Sequence, residues 1–177
     1  MASKLRVDSI LPVDGAPTSG GGGVIQVVSA TKTDTQSISG TGSSADITGL
    51  SVSITPTRSD SKILFTCNLT VGNSGSAGYL QGFMVRDSTN LLVGTHGTGN
   101  MVNCTFANSG TGSSYYVEAV TFSVLDSPNS TSELTYKVQL GKGDNSYQLY
   151  INRPGTLDNN TYNSCASSTL TVMEVSA

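Results

Sequence analysis

Alternation with a period of two dominates this chain. In SKILFTCNLTV (61–71), Ile63, Phe65, Cys67, Leu69 and Val71 are interleaved with Leu64, Thr66, Asn68 and Thr70. In SELTYKVQL (132–140), Leu134, Tyr136, Val138 and Leu140 are interleaved with Thr135, Lys137 and Gln139. Successive side chains of a strand point to opposite faces, so this pattern marks strands with one buried face, and no comparable helical period competes with it. The alternation predicts strands near 24–29, 46–54, 61–71, 79–87, 90–93, 101–107, 115–125, 132–140, 146–152 and 168–175. Between them lie NSGSAG (73–78), GTHGTGN (94–100), DSPNSTSE (126–133), GKGDN (141–145) and RPGTLDNNTYNSCAS (153–167), stretches of residues that turn the backbone or bond back to it. Short strands at this spacing predict an all-β, jelly-roll-like antiparallel sandwich with Greek-key connections, with a simple meander as the alternative.

A chain of 177 residues suits one domain and buries about 70% of its unfolded surface on folding. Charged residues are 12% of the total, about half the usual share, so hydroxyls and amides must solvate the surface. Nine Lys and Arg residues, scattered singly in a chain of net charge -3, offer no stripe for phosphates, which argues against a nucleic-acid partner. No apolar run approaches the roughly 18 residues of a membrane-spanning helix, and membrane insertion is not expected.

The hexapeptide SGTGSS occurs at 39–44 and at 109–114, each time ahead of a strand. Ile47, Leu50, Val52 and Ile54 correspond to Val117, Val120, Phe122 and Val124, with a first step of three and then steps of two. That change of step predicts bulges near Gly49 and Ala119, and comparable inward-facing places for the two strands. Shared turn chemistry explains the repeat as well as two similarly wound halves would.

Residues that could carry chemistry are sparse. His96 is the only histidine; with Cys104 or a serine it has the inventory of a nucleophile–base pair, but no G-x-S-x-G elbow accompanies it, and a non-enzymatic loop histidine is expected. Cys67, Cys104 and Cys165 fit no metal spacing and are read as buried or half-buried thiols. Asp144 and Asn145, with Asp158, Asn159 and Asn160, have oxygens suited to calcium but lack a calcium-loop order, and no cofactor is implied. Four Asn-x-Ser/Thr matches, at Asn68, Asn103, Asn129 and Asn159, follow from the composition alone. Tyr79, Tyr115, Tyr116, Tyr147 and Tyr162 lie beside loops; of these, Tyr79, Tyr147 and Tyr162 are the candidate receptor contacts, with packing at the sandwich rim as the alternative.

The opening, MASKLRVDSILPVDGAPTSGGGG, holds no apolar run of signal-core length. Leu5 and Val7 alternate with Lys4, Arg6 and Asp8, the pattern of one half-buried strand, and GAPTSGGGG reads as a tether. A single strand must add to some sheet edge. Residues 1–23 are therefore read as a docking peptide and linker, with Leu5, Val7, Ile10 and Leu11 as its contacts, and 24–177 as the head domain. An extra edge strand of the same domain, or a frayed terminus, is the other reading.

Together the segments SKLRVDSI, VIQVVSATKTDT, DITGLSVSITPTRSDSKILFTCNLTV, FSVLDSPNSTSELTYKVQL, YINRPGTLDNNTY and SSTLTVMEV resemble small fibre-like or decorating virion proteins of tailed bacteriophages, of the marine and cyanobacterial type. The resemblance implies a structural virion protein, held to capsid or tail proteins by its N-terminal segment and displaying a β head, often as a homotrimer. It also leaves open a receptor-binding tip that engages a host surface glycan or protein.

Overall fold

The computed structural model describes residues 23–38, 44–75, 79–96, 99–108, 112–143 and 145–176. The strands are β1 (Val24–Lys32), β2 (Gln36–Ile38), β3 (Ala45–Ile54), β4 (Lys62–Asn73), β5 (Leu80–Arg86), β6 (Thr89–Leu91), β7 (Phe106–Asn108), β8 (Val117–Asp126), β9 (Leu134–Lys142), β10 (Leu149–Ile151) and β11 (Ser168–Val175), and no helix occurs among the described residues. They form two antiparallel sheets packed face to face. In the first, the order is β1-β11-β4-β10-β2, with β8 on the other edge of β4. Because β11 pairs with Lys62–Asn68 and β10 with Val71–Asn73, those two strands share one edge of β4, and the sheet is effectively four strands wide. The second sheet runs β3-β9-β5, with β6 and β7 side by side along the remaining edge of β5.

The inward positions of the alternation make the core. Ile63, Phe65, Cys67 and Leu69 of β4 meet Tyr136, Val138 and Leu140 of β9 across the gap, all of them fully buried. Phe106 of β7 stacks on Phe122 of β8, with ring centroids 3.9 Å apart, closing one side of the sandwich. Gly82, opposite Phe106 in the ladder, leaves room for that ring: a Cβ there would lie 1.9 Å from it. The outer face of the first sheet is ordered by register into rows. Val27, Met173, Leu64 and Leu125 form one, Ser29, Thr171, Thr66 and Ser123 the next, and Thr31, Thr169, Asn68 and Thr121 the third.

One of the two expected bulges is present. The β3–β9 register shifts between Asp46 and Ser51, and Gly49 within it has φ of 84°, where a side chain would be strained. The other is not: β8 pairs with β4 without interruption from Val117–Gly72 to Asp126–Ile63. Without the extra residue Val117 falls on the outer parity and Glu118 takes the inward place, where its buried Oε2 has no hydrogen-bond partner. Two expected strands are also shorter: 101–107 yields Phe106–Asn108, and 146–152 yields Leu149–Ile151. The first loses its ladder because Thr105 spends its hydroxyl on the Leu91 carbonyl and its amide on Gly82, which turns the chain before β7.

Candidate recognition surface

The antiparallel registers sort the sandwich into two ends. Residues Val24, Lys62, Arg86, Asp126, Leu134 and Val175 stand at one. There Ser176 donates its amide to Gly23 O at 3.0 Å, and Gly23 N donates to Ser176 Oγ at 3.1 Å. The opposite end gathers Asn73, Leu80, Val117, Lys142 and Leu149, together with the loops that carry most of the tyrosines.

At that far end the segment after β10 is tied down from several directions. Asn152, fully buried with φ of 63°, donates from Nδ2 to the carbonyls of Lys32 and Asp34, both at 2.9 Å, and accepts from Ser168 Oγ at 2.6 Å. Arg153 then lies over the Tyr150 ring at 3.8 Å, and Pro154 passes so close to Gly72 that a Cβ there would stand 2.9 Å from its Cα. Thr156 donates its amide to Ser114 O at 2.8 Å, and the two hydroxyls are 2.9 Å apart, joining this loop to the one before β8. The result brings Tyr115 and Tyr162 edge to face, 5.6 Å between centroids at 79°, with Tyr116 beside them. Tyr116 is 59% exposed and Tyr162 56%; Asn160 Nδ2 donates to the Tyr162 hydroxyl at 2.8 Å. Clefts of about 200 and 410 Å³ lie between these rings.

Tyr79, also exposed, borders a separate groove of about 850 Å³ with Met101, Val102, Cys104 and Asn108. Tyr147 does not join either surface, which corrects its expected role as a receptor contact. It is 3% exposed, between the end of β9 and the start of β10. Its hydroxyl accepts from Gly143 N at 2.8 Å and donates to Tyr79 O at 2.6 Å, so the polar tip that favours exposure is satisfied inside. Tyr115 and Tyr116, read in the sequence only as loop-side tyrosines, complete the cluster instead; the doublet just before β8 was their signal.

Of the other candidates, Leu5, Val7, Ile10, Leu11 and Asp144 lie outside the described residues. His96 stands exposed after β6. Cys67 is buried, and desolvation pushes its thiol up to about 12, leaving it inert; Cys104 is half-buried, whereas Cys165 is exposed, contrary to expectation, because its loop rides on the outside of the sandwich. Among the described residues, no group of three or more His, Cys, Asp or Glu side chains is placed to hold a metal ion. The Tyr115–Tyr116–Tyr162 cluster thus offers ring faces, hydroxyls and the Asn160 amide, a surface suited to binding polar ligands with apolar faces. No known family model matches the chain, and no curated protein is significantly similar to it.

Proposed function

We propose that this chain is a structural virion protein of a tailed bacteriophage, a capsid decoration, short fibre or tail component that carries out no catalysis. Residues 1–23 dock it to other virion proteins, and the remainder is displayed as a homotrimeric head. The order of strands in the two sheets, with the chain crossing between them at each step from β2 to β5 and from β7 to β10, fits a jelly-roll winding of that head. The observation that best supports display is the division of ends: the described chain starts beside Ser176, at the end opposite the exposed Tyr115–Tyr116–Tyr162 cluster. A head held there would present its aromatic loops outward.

Deleting residues 1–22, or changing Leu5 and Val7 together to Asp, should leave a folded head that is missing from purified virions. Incorporation of either variant at normal copy number would overturn attachment through the leading peptide. The exposed cluster favours a second reading, a receptor-binding tip for a host glycan or surface protein. In that case phage carrying Tyr116→Ala and Tyr162→Ala should assemble normally yet adsorb at least tenfold more slowly, as aromatic hot spots commonly exceed about 2 kcal/mol. Unchanged adsorption would leave the structural role alone.

A further inference from the structure

Resting on the homotrimer reading above, we infer that the outer face of the first sheet, together with the free edge of β8, is where copies of this chain meet. Its lowest complete row, Val27–Met173–Leu64–Leu125, is apolar from edge to edge, and the residues on the two edge strands are open, Val27 at 53% and Leu125 at 58%. The two rows above it hold only hydroxyl and amide side chains. Several of these are already paired across strands: the Thr66 and Ser123 hydroxyls lie 3.1 Å apart, and Thr121 Oγ1 donates to Asn68 Oδ1 at 3.2 Å. Such pairing lowers the cost of covering these groups.

No charge interrupts the three rows. The outer face of the second sheet differs, carrying the Lys137–Asp46 ion pair at 2.9 Å. Three uncharged rows, with Lys62 just below them and its Nζ donating to Ser127 Oγ at 2.9 Å, meet their own copy without like-charge repulsion between the rows and without stranding a charge from them away from water, whereas foreign partners are usually selected by charge pattern. Four strands and three rows span roughly 400 Å² in projection.

Strand β8 supplies an independent observation. Its ten residues pair with β4 on one side, and among the described residues no strand pairs with the other side. It contains neither proline nor bulge, and its charged residues, Glu118 and Asp126, stand at its two ends, so the stretch 119–125 between them is an edge open to added strands. Among the described residues, the loop after β10 covers the far end of this face: Pro154 lies over Gly72, and Thr70 Oγ1 donates to Ser167 O. In a closed threefold ring, the β8 side of each copy, with Leu125, rests against the β1 side of the next, with Val27. Rotation then covers every apolar row and every β8 edge.

Sedimentation of the purified full chain at micromolar concentration should give a mass three times that of the 18.2 kDa chain. Changing Val27 and Leu125 together to Asp should yield a monomer with an unchanged far-ultraviolet circular dichroism spectrum. Ser123→Lys, placed on an exposed hydroxyl, should weaken association at least tenfold if the double variant misfolds. Ser53→Asp on the opposite sheet should remain trimeric. A monomeric wild type, or trimers that persist in both face variants, would overturn the inference; incorporation into particles is read separately, so failure here is distinct from failure of the virion role.

Discussion

At the near end, three side chains join the sheets. Asp126 of β8 accepts from the Arg86 guanidinium of β5 and from the Tyr136 hydroxyl of β9, the latter at 2.7 Å. Burial, followed by the neighbouring Asp126 carboxylate, pushes the Tyr136 hydroxyl well above its ordinary value, so it stays a donor. Burial opposes the Arg86 charge, but the hydrogen bond and charge of Asp126 outweigh it and hold the guanidinium protonated. Tyr136→Phe keeps the ring and its packing near Phe65, 5.9 Å between centroids, and removes only the hydroxyl. Hydrogen bonds to charged groups are worth about 1.5–3 kcal/mol, so urea unfolding should show a loss of that size with an unchanged m-value. A loss below about 0.5 kcal/mol would mean that Arg86 alone satisfies Asp126.

Among the elements, the loop from Asn152 to Ser167 depends most on backbone contact. Gly155 lies against the end of β4 so closely that a Cβ would meet Asn73 O at 2.1 Å and Ser74 Cα at 2.6 Å. These are backbone atoms and cannot swing aside as the Phe106 ring beside Gly82 can. Gly155→Ala should therefore lift the loop, cost about 1–3 kcal/mol, and loosen Tyr162 from Tyr115. Hydrogen exchange would read the effect as faster exchange in 156–163 with protection of β4 and β9 retained. Uniform loss of protection would show that the loop is part of the cooperative core.

For the whole molecule, stability should fall on the acid side. Burial raises the Glu174 carboxyl, but hydrogen bonds from Gln26 and Thr57 outweigh it and hold the group below its ordinary 4.5. Asp46 is likewise raised by burial and more strongly lowered by Gln139 and Lys137. Each group binds protons less readily folded than unfolded, so the stabilisation is complete above the ordinary carboxylate values and is lost as pH falls through the folded ones. Denaturation midpoints should stay level from neutral pH to about 5 and decline below about 4.5. Glu174→Gln, less stable at neutral pH, should decline less steeply; an equal slope would exclude Glu174 as a main contributor.

The all-β class, most strands and the bulge at Gly49 were legible in the sequence, because a buried face imposes its period of two on every strand that lines it, and a break in that period at a glycine has few other meanings. Tertiary structure decided the rest. Tyr147 is buried because its hydroxyl finds the Tyr79 carbonyl, 68 positions away, as well as the nearby Gly143 amide, and no local pattern reveals the distant partner. Glu118 faces inward because β4 runs straight beside β8, which the matching steps of Ile47–Leu50 and Val117–Val120 could not disclose. Likewise Tyr115 and Tyr162 are 47 positions apart in sequence, and they meet only because Ser114, Thr156 and Asn152 bind two loops to one end of the sandwich. Period and turn chemistry are properties of neighbouring residues, whereas a recognition surface is made by contacts that close only after both sheets have packed.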